Sequence, residues 1–166
     1  MTNHLRFLIL LSLTAGAACG RHDPATIPGL RVDDFGTFNT AKIELVAEGG
    51  IAALQTEHLV RHDDRFFLYT NRHLCSQTCP APLDSASGTL SASATDSLFS
   101  IVWAQSPFSL KDDYGNSAGA ADMMLYTLRM TFDGTTKTVR ADDGTMPPQM
   151  RQIVDALRAT IAAARK

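Results

Sequence analysis

Alternation of apolar and polar positions predicts β-strands from about residue 42 onward. The residues that alternate first are Ile43, Leu45 and Ala47. This is the period of a half-buried strand. Gly49-Gly50 then interrupts the pattern and predicts a turn or bulge, because glycine accepts positive φ without penalty. We expect a second strand within residues 51–60, a third within residues 65–70, and irregular structure over residues 72–89.

Two segments carry apolar residues at helical spacing. A first helix is predicted from about Ser91 to Ala104, and Pro147-Pro148 opens a second, since proline suits the first turn of a helix. The residues expected to share the buried face of the first helix are Leu98, Ile101 and Val102. Those of the second are Met150, Ile153, Val154, Leu157 and Ile161.

The clearest strand pattern lies between the two helices, over residues 122–132. Its apolar face consists of Met124, Tyr126, Leu128, Met130 and Phe132. Asp133-Gly134 follows and is the strongest short signal for a hairpin, which residues 135–141 complete. The elements together predict one α+β domain over residues 41–166. Its antiparallel sheet has about four to five strands, with two helices packed on one face.

The first nineteen residues have the pattern of a bacterial export signal. Arg6 precedes an apolar stretch over residues 7–18, which is too short to span a bilayer, and small residues lead to Cys19. We expect residues 1–18 to be a signal peptide and Cys19 to carry lipid. Cleavage after Ala17, which leaves Cys19 as a plain thiol, is the alternative. Residues 19–40 then form a flexible tether, and the protein is membrane-anchored in the periplasm or at the cell surface.

The remaining cysteines agree with export. With Cys19 lipidated, Cys75 and Cys79 are left as a pair in an oxidising compartment, where they can form a disulfide. A metal site with nearby histidines is the alternative, but zinc motifs normally bring a second ligand pair, and none occurs here.

Charge and composition exclude several classes of function. Loss of residues 1–18 removes Arg6 and takes the net charge from −2 to −3, which argues against binding of nucleic acid.

Several aspartates and histidines are candidates for catalysis or metal binding: Asp33-Asp34, Asp63-Asp64, Asp112-Asp113, Asp142-Asp143, His58, His62 and His73. None of the aspartate pairs has the spacing of a calcium loop, and no nucleophile elbow or phosphate-binding loop occurs. We therefore expect no cofactor, no metal and no catalytic residue, with a metal-binding hydrolase as the remaining alternative.

The C-terminal part of the chain carries a series of landmark residues: Ala121-Asp122, Tyr126-Thr127-Leu128, Asp133-Gly134, Val139, Asp143, Pro147-Pro148, Ile153 and Leu157. In these residues it resembles the emfourin family, small bacterial domains whose founding member inhibits thermolysin-type metalloproteases. Gly49-Gly50 also looks like an early glycine pair of that family. The resemblance covers about residues 42–160 and is closest over the last 45 of them. It implies a non-enzymatic domain that binds a secreted metalloprotease.

We therefore expect a lipoprotein of the cell envelope with a protein-binding domain. Candidate contact residues lie in two glycine-containing loops, because glycine permits close approach of a partner's backbone. These residues are Gly49, Gly50, Asp112, Asp113 and Tyr114. A structural or assembly lipoprotein without a protease target is the alternative.

Overall fold

A computed structural model describes residues 40–50, 53–74, 82–115, 117 and 122–165. The predicted signal peptide, nearly all of the tether, Cys19, Cys75 and Cys79 lie outside these residues. The elements are β1 (Ala41–Gly49), β2 (Leu54–Arg61), β3 (Phe66–His73), β4 (Asp84–Thr89), α1 (Ala92–Ala104), a 3₁₀ turn (Pro107–Ser109), β5 (Met124–Phe132), β6 (Thr135–Asp142) and α2 (Pro148–Ala164). Neither of the two described α-helices has the length and apolar character that a membrane span requires.

The strands form one antiparallel sheet in the order β4-β3-β2-β1-β5-β6. Side chains alternate across it, so every second residue of β1 is buried: Ala41, Ile43, Leu45 and Ala47. The predicted apolar stripe of α2 is buried completely or nearly so. Since α2 contacts α1, β2 and β3, the predicted α+β class is confirmed.

The sheet has six strands, so the prediction of four to five was wrong. The additional strand is β4, which lies within the segment expected to be irregular. Its sequence, Asp-Ser-Ala-Ser-Gly-Thr, has almost no β-favouring residues. The strand forms because β3 supplies a pairing edge. Gly88 also lies under the ring of Phe67, where an added Cβ would be 3.0 Å from Cε1.

Helix α1 begins where predicted but is rotated about its axis relative to the prediction. The Ser91 hydroxyl accepts a hydrogen bond from the Ala94 amide at 3.2 Å and caps the first turn. Ile101, expected in the core, is 42% exposed, and Phe99 is buried instead. Because Phe99 and Ile101 are both apolar, helical spacing alone allows either face, and packing against the sheet selects the one with Phe99.

The β5–β6 hairpin is confirmed, and its turn has the backbone that Asp-Gly predicts. Asp133 has φ 43° and Gly134 has φ 84°, and positive φ at both central residues defines the tight turn that matches strand twist. The Asp133 carboxylate also accepts a hydrogen bond from the Thr40 amide at 2.9 Å. The turn is therefore tied to the start of β1.

Strand register places one end of each of the six strands side by side at one end of the sheet, here called the loop end. The residues that mark it are Gly49, Leu54, His73, Asp84, Met124 and Asp142. Both glycine-containing loops singled out in the sequence begin or end there. The loop end is therefore the part of the molecule in which to look for a contact site.

Candidate interaction site

The segment from Asp112 to Tyr114 runs along the outer edge of β6. The Arg140 amide donates to the Asp112 carbonyl at 2.9 Å, and the Tyr114 amide donates to the Arg140 carbonyl at 2.9 Å. These two bonds make one parallel bridge, between Asp113 and Arg140. Two backbone groups of an otherwise exposed loop are thereby fixed against the sheet.

Side chains tie the same segment further. Asp113 accepts a hydrogen bond from the Gly115 amide at 2.6 Å, and the Tyr114 hydroxyl accepts one from the Lys111 amide at 3.2 Å. Asp112 forms an ion pair with Lys137. Tyr114 is partly buried against the core, whereas Lys111, Asp112, Asp113 and Gly115 are exposed. The segment therefore presents two carboxylates to solvent on a constrained backbone.

Asp142, at the end of β6, holds the next part of the loop. Its carboxylate accepts hydrogen bonds from both the amide and the hydroxyl of Ser117, which is 25 residues away. It also accepts from the Gly144 amide at 2.9 Å and from the Thr145 amide at 2.8 Å. The Ser117 amide is the largest cause that lowers the pKa of Asp142 to about 2, and hydrogen bonds from Thr145 and the Ser117 hydroxyl act in the same direction against the opposing effect of burial. The carboxylate thus stays charged throughout the neutral range and anchors the loop.

Asp143 links the same turn to β5. Its carboxylate accepts from the Met124 amide at 2.9 Å and from the Tyr126 hydroxyl at 2.7 Å. Burial raises the pKa of Tyr126, and the hydrogen bond to Asp143 raises it further. Tyr126 therefore stays neutral, and both aspartates of the turn act as acceptors for chain segments far away in sequence.

Gly49 and Gly50 lie beside the start of β5. The Gly50 amide donates to the Met123 carbonyl at 3.3 Å. Gly49 has φ 118°, and a Cβ built there would lie only 2.7 Å from the Met123 carbonyl oxygen. Glycine is required at position 49 by this close approach within the chain. Gly49 therefore has a structural role within the chain.

The structure places the five predicted contact residues in two separate segments near the same end of the sheet. Gly49 ends β1 and Gly50 follows it, while Asp112, Asp113 and Tyr114 flank β6, with β5 between β1 and β6. In the sequence, Asp142-Asp143 stands out only as one of four aspartate pairs, and Asp143 as part of the emfourin resemblance. The role of this pair in holding Ser117 and Met124 was missed, because nothing local in the sequence indicates partners so distant.

The other candidate groups do not assemble into a metal centre in the described part of the chain. No group of three or more potential metal ligands occurs there. His58 is buried against the ring of Tyr69, and His62 contacts Asp96 at 3.3 Å and the ring of Phe99. His58 and His62 thus lie in and just after β2, as the strand pattern predicted, and not on a helix.

Comparison with protein families matches residues 78–158 to the Emfourin family, which confirms the resemblance over that segment. The matched part contains the 111–117 loop, the β5–β6 hairpin, Asp143 and most of α2. Gly49-Gly50 lies upstream of it. Emfourins are inhibitors of metalloproteases and not enzymes. No curated protein matches the chain.

Proposed function

We propose that this protein is an exported inhibitor of a thermolysin-type metalloprotease, held at the membrane through lipid on Cys19. The observation that carries the proposal is the emfourin match over residues 78–158, which includes the constrained segment along β6. Two features of that segment, its backbone and its charge, suit it to bind a protease cleft.

The first feature is the fixed backbone from Asp112 to Tyr114. A protease cleaves a segment that can adopt an extended conformation and align its peptide bonds in the cleft. Here the Asp112 carbonyl and the Tyr114 amide are already bonded to Arg140, and Ser117 is bonded to Asp142. Such a segment loses little conformational entropy on binding and resists the distortion that cleavage requires. It therefore favours inhibition over hydrolysis.

The second feature is the exposed pair of carboxylates. The side chain of Asp112 is 85% exposed despite its ion pair with Lys137, and Asp113 is also exposed. The cleft of a zinc protease contains a divalent cation, which is the largest local charge and attracts anionic groups. Acidic side chains at the tip of a constrained loop are thus complementary to that cleft.

The test of inhibition compares Asp113→Ala with Asp63→Ala. Asp63 belongs to another exposed aspartate pair, but it follows β2 at the opposite end of the sheet from the loop end. We expect Asp113→Ala to raise the inhibition constant for thermolysin about tenfold, the effect of losing one well-placed interface contact, while Asp63→Ala leaves it unchanged. Equal inhibition constants for the two variants would show that the segment along β6 is not the contact.

The test of anchoring uses Cys19→Ser. Stable membrane attachment needs more than one acyl chain, at about 0.8 kcal/mol per buried methylene. We expect Cys19→Ser to move the protein from the membrane fraction to the soluble fraction after cell lysis. If the variant stays with the membrane, the lipid anchor is refuted. In the same exported protein, we expect Cys75 and Cys79 to react with a thiol reagent only after reduction.

A further inference from the structure

The two edges of the sheet differ in how their outer backbone groups are used. At the β6 edge, the Asp112–Tyr114 segment pairs with Arg140 and covers part of the strand. At the other edge, β4 pairs with β3, and no backbone hydrogen bond joins its outer side to any of the described residues. Proteins usually protect such an edge with lysine, proline or a covering segment, because it is a template for another strand. The sequence of β4, Asp-Ser-Ala-Ser-Gly-Thr, contains neither lysine nor proline.

The pairing of β4 with β3 determines which backbone groups face outward. Just beyond the last strand pair, the Leu90 amide donates to the Arg65 carbonyl at 2.8 Å. In an antiparallel ladder every second pair exchanges hydrogen bonds, so the residues of β4 that bond to β3 are Asp84, Ala86 and Gly88. The N–H and C=O groups that point away from the sheet belong to the alternate residues, all of which are exposed: Ser85, Ser87 and Thr89.

These outward groups are complementary to those of a second copy of β4. When two copies pair antiparallel about a two-fold axis at Ser87, Ser87 faces Ser87 of the second copy, and Ser85 faces its Thr89. Each facing pair exchanges two N–H···O bonds, so three pairs form six bonds and use every outward group of both strands. Any other register leaves some of these groups unpaired. The residues that follow the strand cannot extend it, because Ser91 caps helix α1.

The charge and the size of this junction suit a weak symmetric dimer. The charged residue of β4 is Asp84, which would face Leu90 of the second copy. The two Asp84 residues are then six strand positions apart, or about 20 Å, so their repulsion is small. Protein interfaces contain about one hydrogen bond per 100–200 Å², so six bonds correspond to about 600–1,200 Å². An interface of this size is typical of reversible association and not of a permanent dimer.

We propose that this chain forms a weak symmetric dimer through β4, in which two six-stranded sheets join into one continuous sheet. The proposal goes beyond the inhibitory function and does not depend on it. The Asp112–Tyr114 segment lies at the opposite edge of the sheet, five strand intervals or about 24 Å from β4. Each copy therefore keeps this segment accessible, and the dimer presents the two segments at opposite edges of the joined sheet.

The first experiment measures the mass of the purified exported chain by sedimentation equilibrium over a range of concentrations. The detergent is matched in density to the solvent, so that only the protein contributes to the measured mass. Ser87→Lys places two ammonium groups opposite each other at the axis. Thr136→Lys adds the same charge at an exposed hydroxyl residue of β6 and serves as the matched control. Circular dichroism and urea unfolding establish that each variant is folded.

We expect the unsubstituted chain and Thr136→Lys to change from monomer to dimer at micromolar concentrations. Ser87→Lys should raise the dissociation constant tenfold or more, because like charges that face each other across an interface are strongly unfavourable. A chain that stays monomeric at all these concentrations overturns the proposal and leaves the edge to a foreign strand. A dimer that both lysine variants weaken equally, or that Ser87→Lys does not weaken, also overturns it.

A second experiment tests the register. In the proposed pairing the two Ser87 Cα atoms are about 5.5 Å apart, a separation that a disulfide can bridge. We expect Ser87→Cys to form a covalent dimer on air oxidation, which dithiothreitol separates. Ser100→Cys, at an exposed position on α1, should form no more covalent dimer than the unsubstituted chain. Equal yields from the two cysteine variants would show that the copies do not meet at β4.

Discussion

Acid will weaken this fold through His58, a histidine that the structure keeps uncharged. His58 is 7% exposed, its ring packs on that of Tyr69 at 5.1 Å between centroids, and its Nδ1 has no hydrogen-bond partner within the described residues. Burial lowers the pKa of His58 to about 4, and the nearby cations Arg158 and Arg165 contribute to the same direction. Protonation of His58 therefore adds a positive charge near those of Arg158 and Arg165.

The size and sign of the effect follow from the two pKa values. In the unfolded chain the pKa of histidine is 6.5, so the unfolded state takes up the proton first as the pH falls. The free energy of unfolding then decreases by about 1.4 kcal/mol for each pH unit between the two values. The total loss is about 3 kcal/mol on going from pH 6.5 to pH 4. This is a large share of the roughly 5–15 kcal/mol that stabilises a typical protein.

The assay is urea unfolding of the chain and of His58→Phe over a series of pH values. Phenylalanine keeps a ring in the same place and cannot bind a proton. The difference in unfolding free energy between the two proteins should be constant above pH 6.5 and should change by about 3 kcal/mol, in favour of the variant, by pH 4. Parallel pH profiles for the two proteins would refute this account of His58.

Two further predictions concern the loop end. Gly49→Ala should lower the free energy of unfolding by about 2 kcal/mol or more, because it adds both backbone strain and a clash with the Met123 carbonyl. Gly115→Ala is the control, because φ is also positive there but no atom lies within 4 Å of the added Cβ. Urea unfolding should show a loss of only about 1 kcal/mol for this variant. Equal losses for the two variants would contradict the close approach at Gly49. Asp142→Asn should speed hydrogen exchange at the Ser117 amide, because the asparagine NH₂ group is a donor and cannot accept the Ser117 N–H. Unchanged exchange at Ser117 would show that Asp142 does not hold the loop. The stability that Asp142 contributes is present above pH 3.8 and is lost as the pH falls through about 2, so it does not overlap the pH range of His58.

The regular elements were predictable where one face of the element is wholly apolar. The alternating residues of β1 and β5 and the stripe on α2 each specify a buried face, and all three were found as expected. The helix α1 carries apolar residues on neighbouring faces, so its rotation was decided by the sheet. Strand β4 was missed because its stability comes from pairing with β3 and not from its own residues.

The sequence predicts which loops contain the candidate site, but it does not predict which hydrogen bonds hold those loops together. Gly49-Gly50 and Asp142-Asp143-Gly144 have the composition of turns, and each lies where a strand ends and a turn begins. The bonds from Asp142 to Ser117 and from Asp143 to Met124 join residues 25 and 19 positions apart, which no local pattern encodes. Lipidation of Cys19 and the pairing of Cys75 with Cys79 stay predictions.

The most direct test of the central claim is a titration of thermolysin with the purified, folded chain, monitored by hydrolysis of a small peptide substrate. If the protein is a metalloprotease inhibitor, activity will fall to a saturating minimum at a fixed stoichiometry, and the chain will remain intact on a gel. Undiminished thermolysin activity in the presence of the folded chain, or digestion of the chain through residues 111–115, would contradict the account.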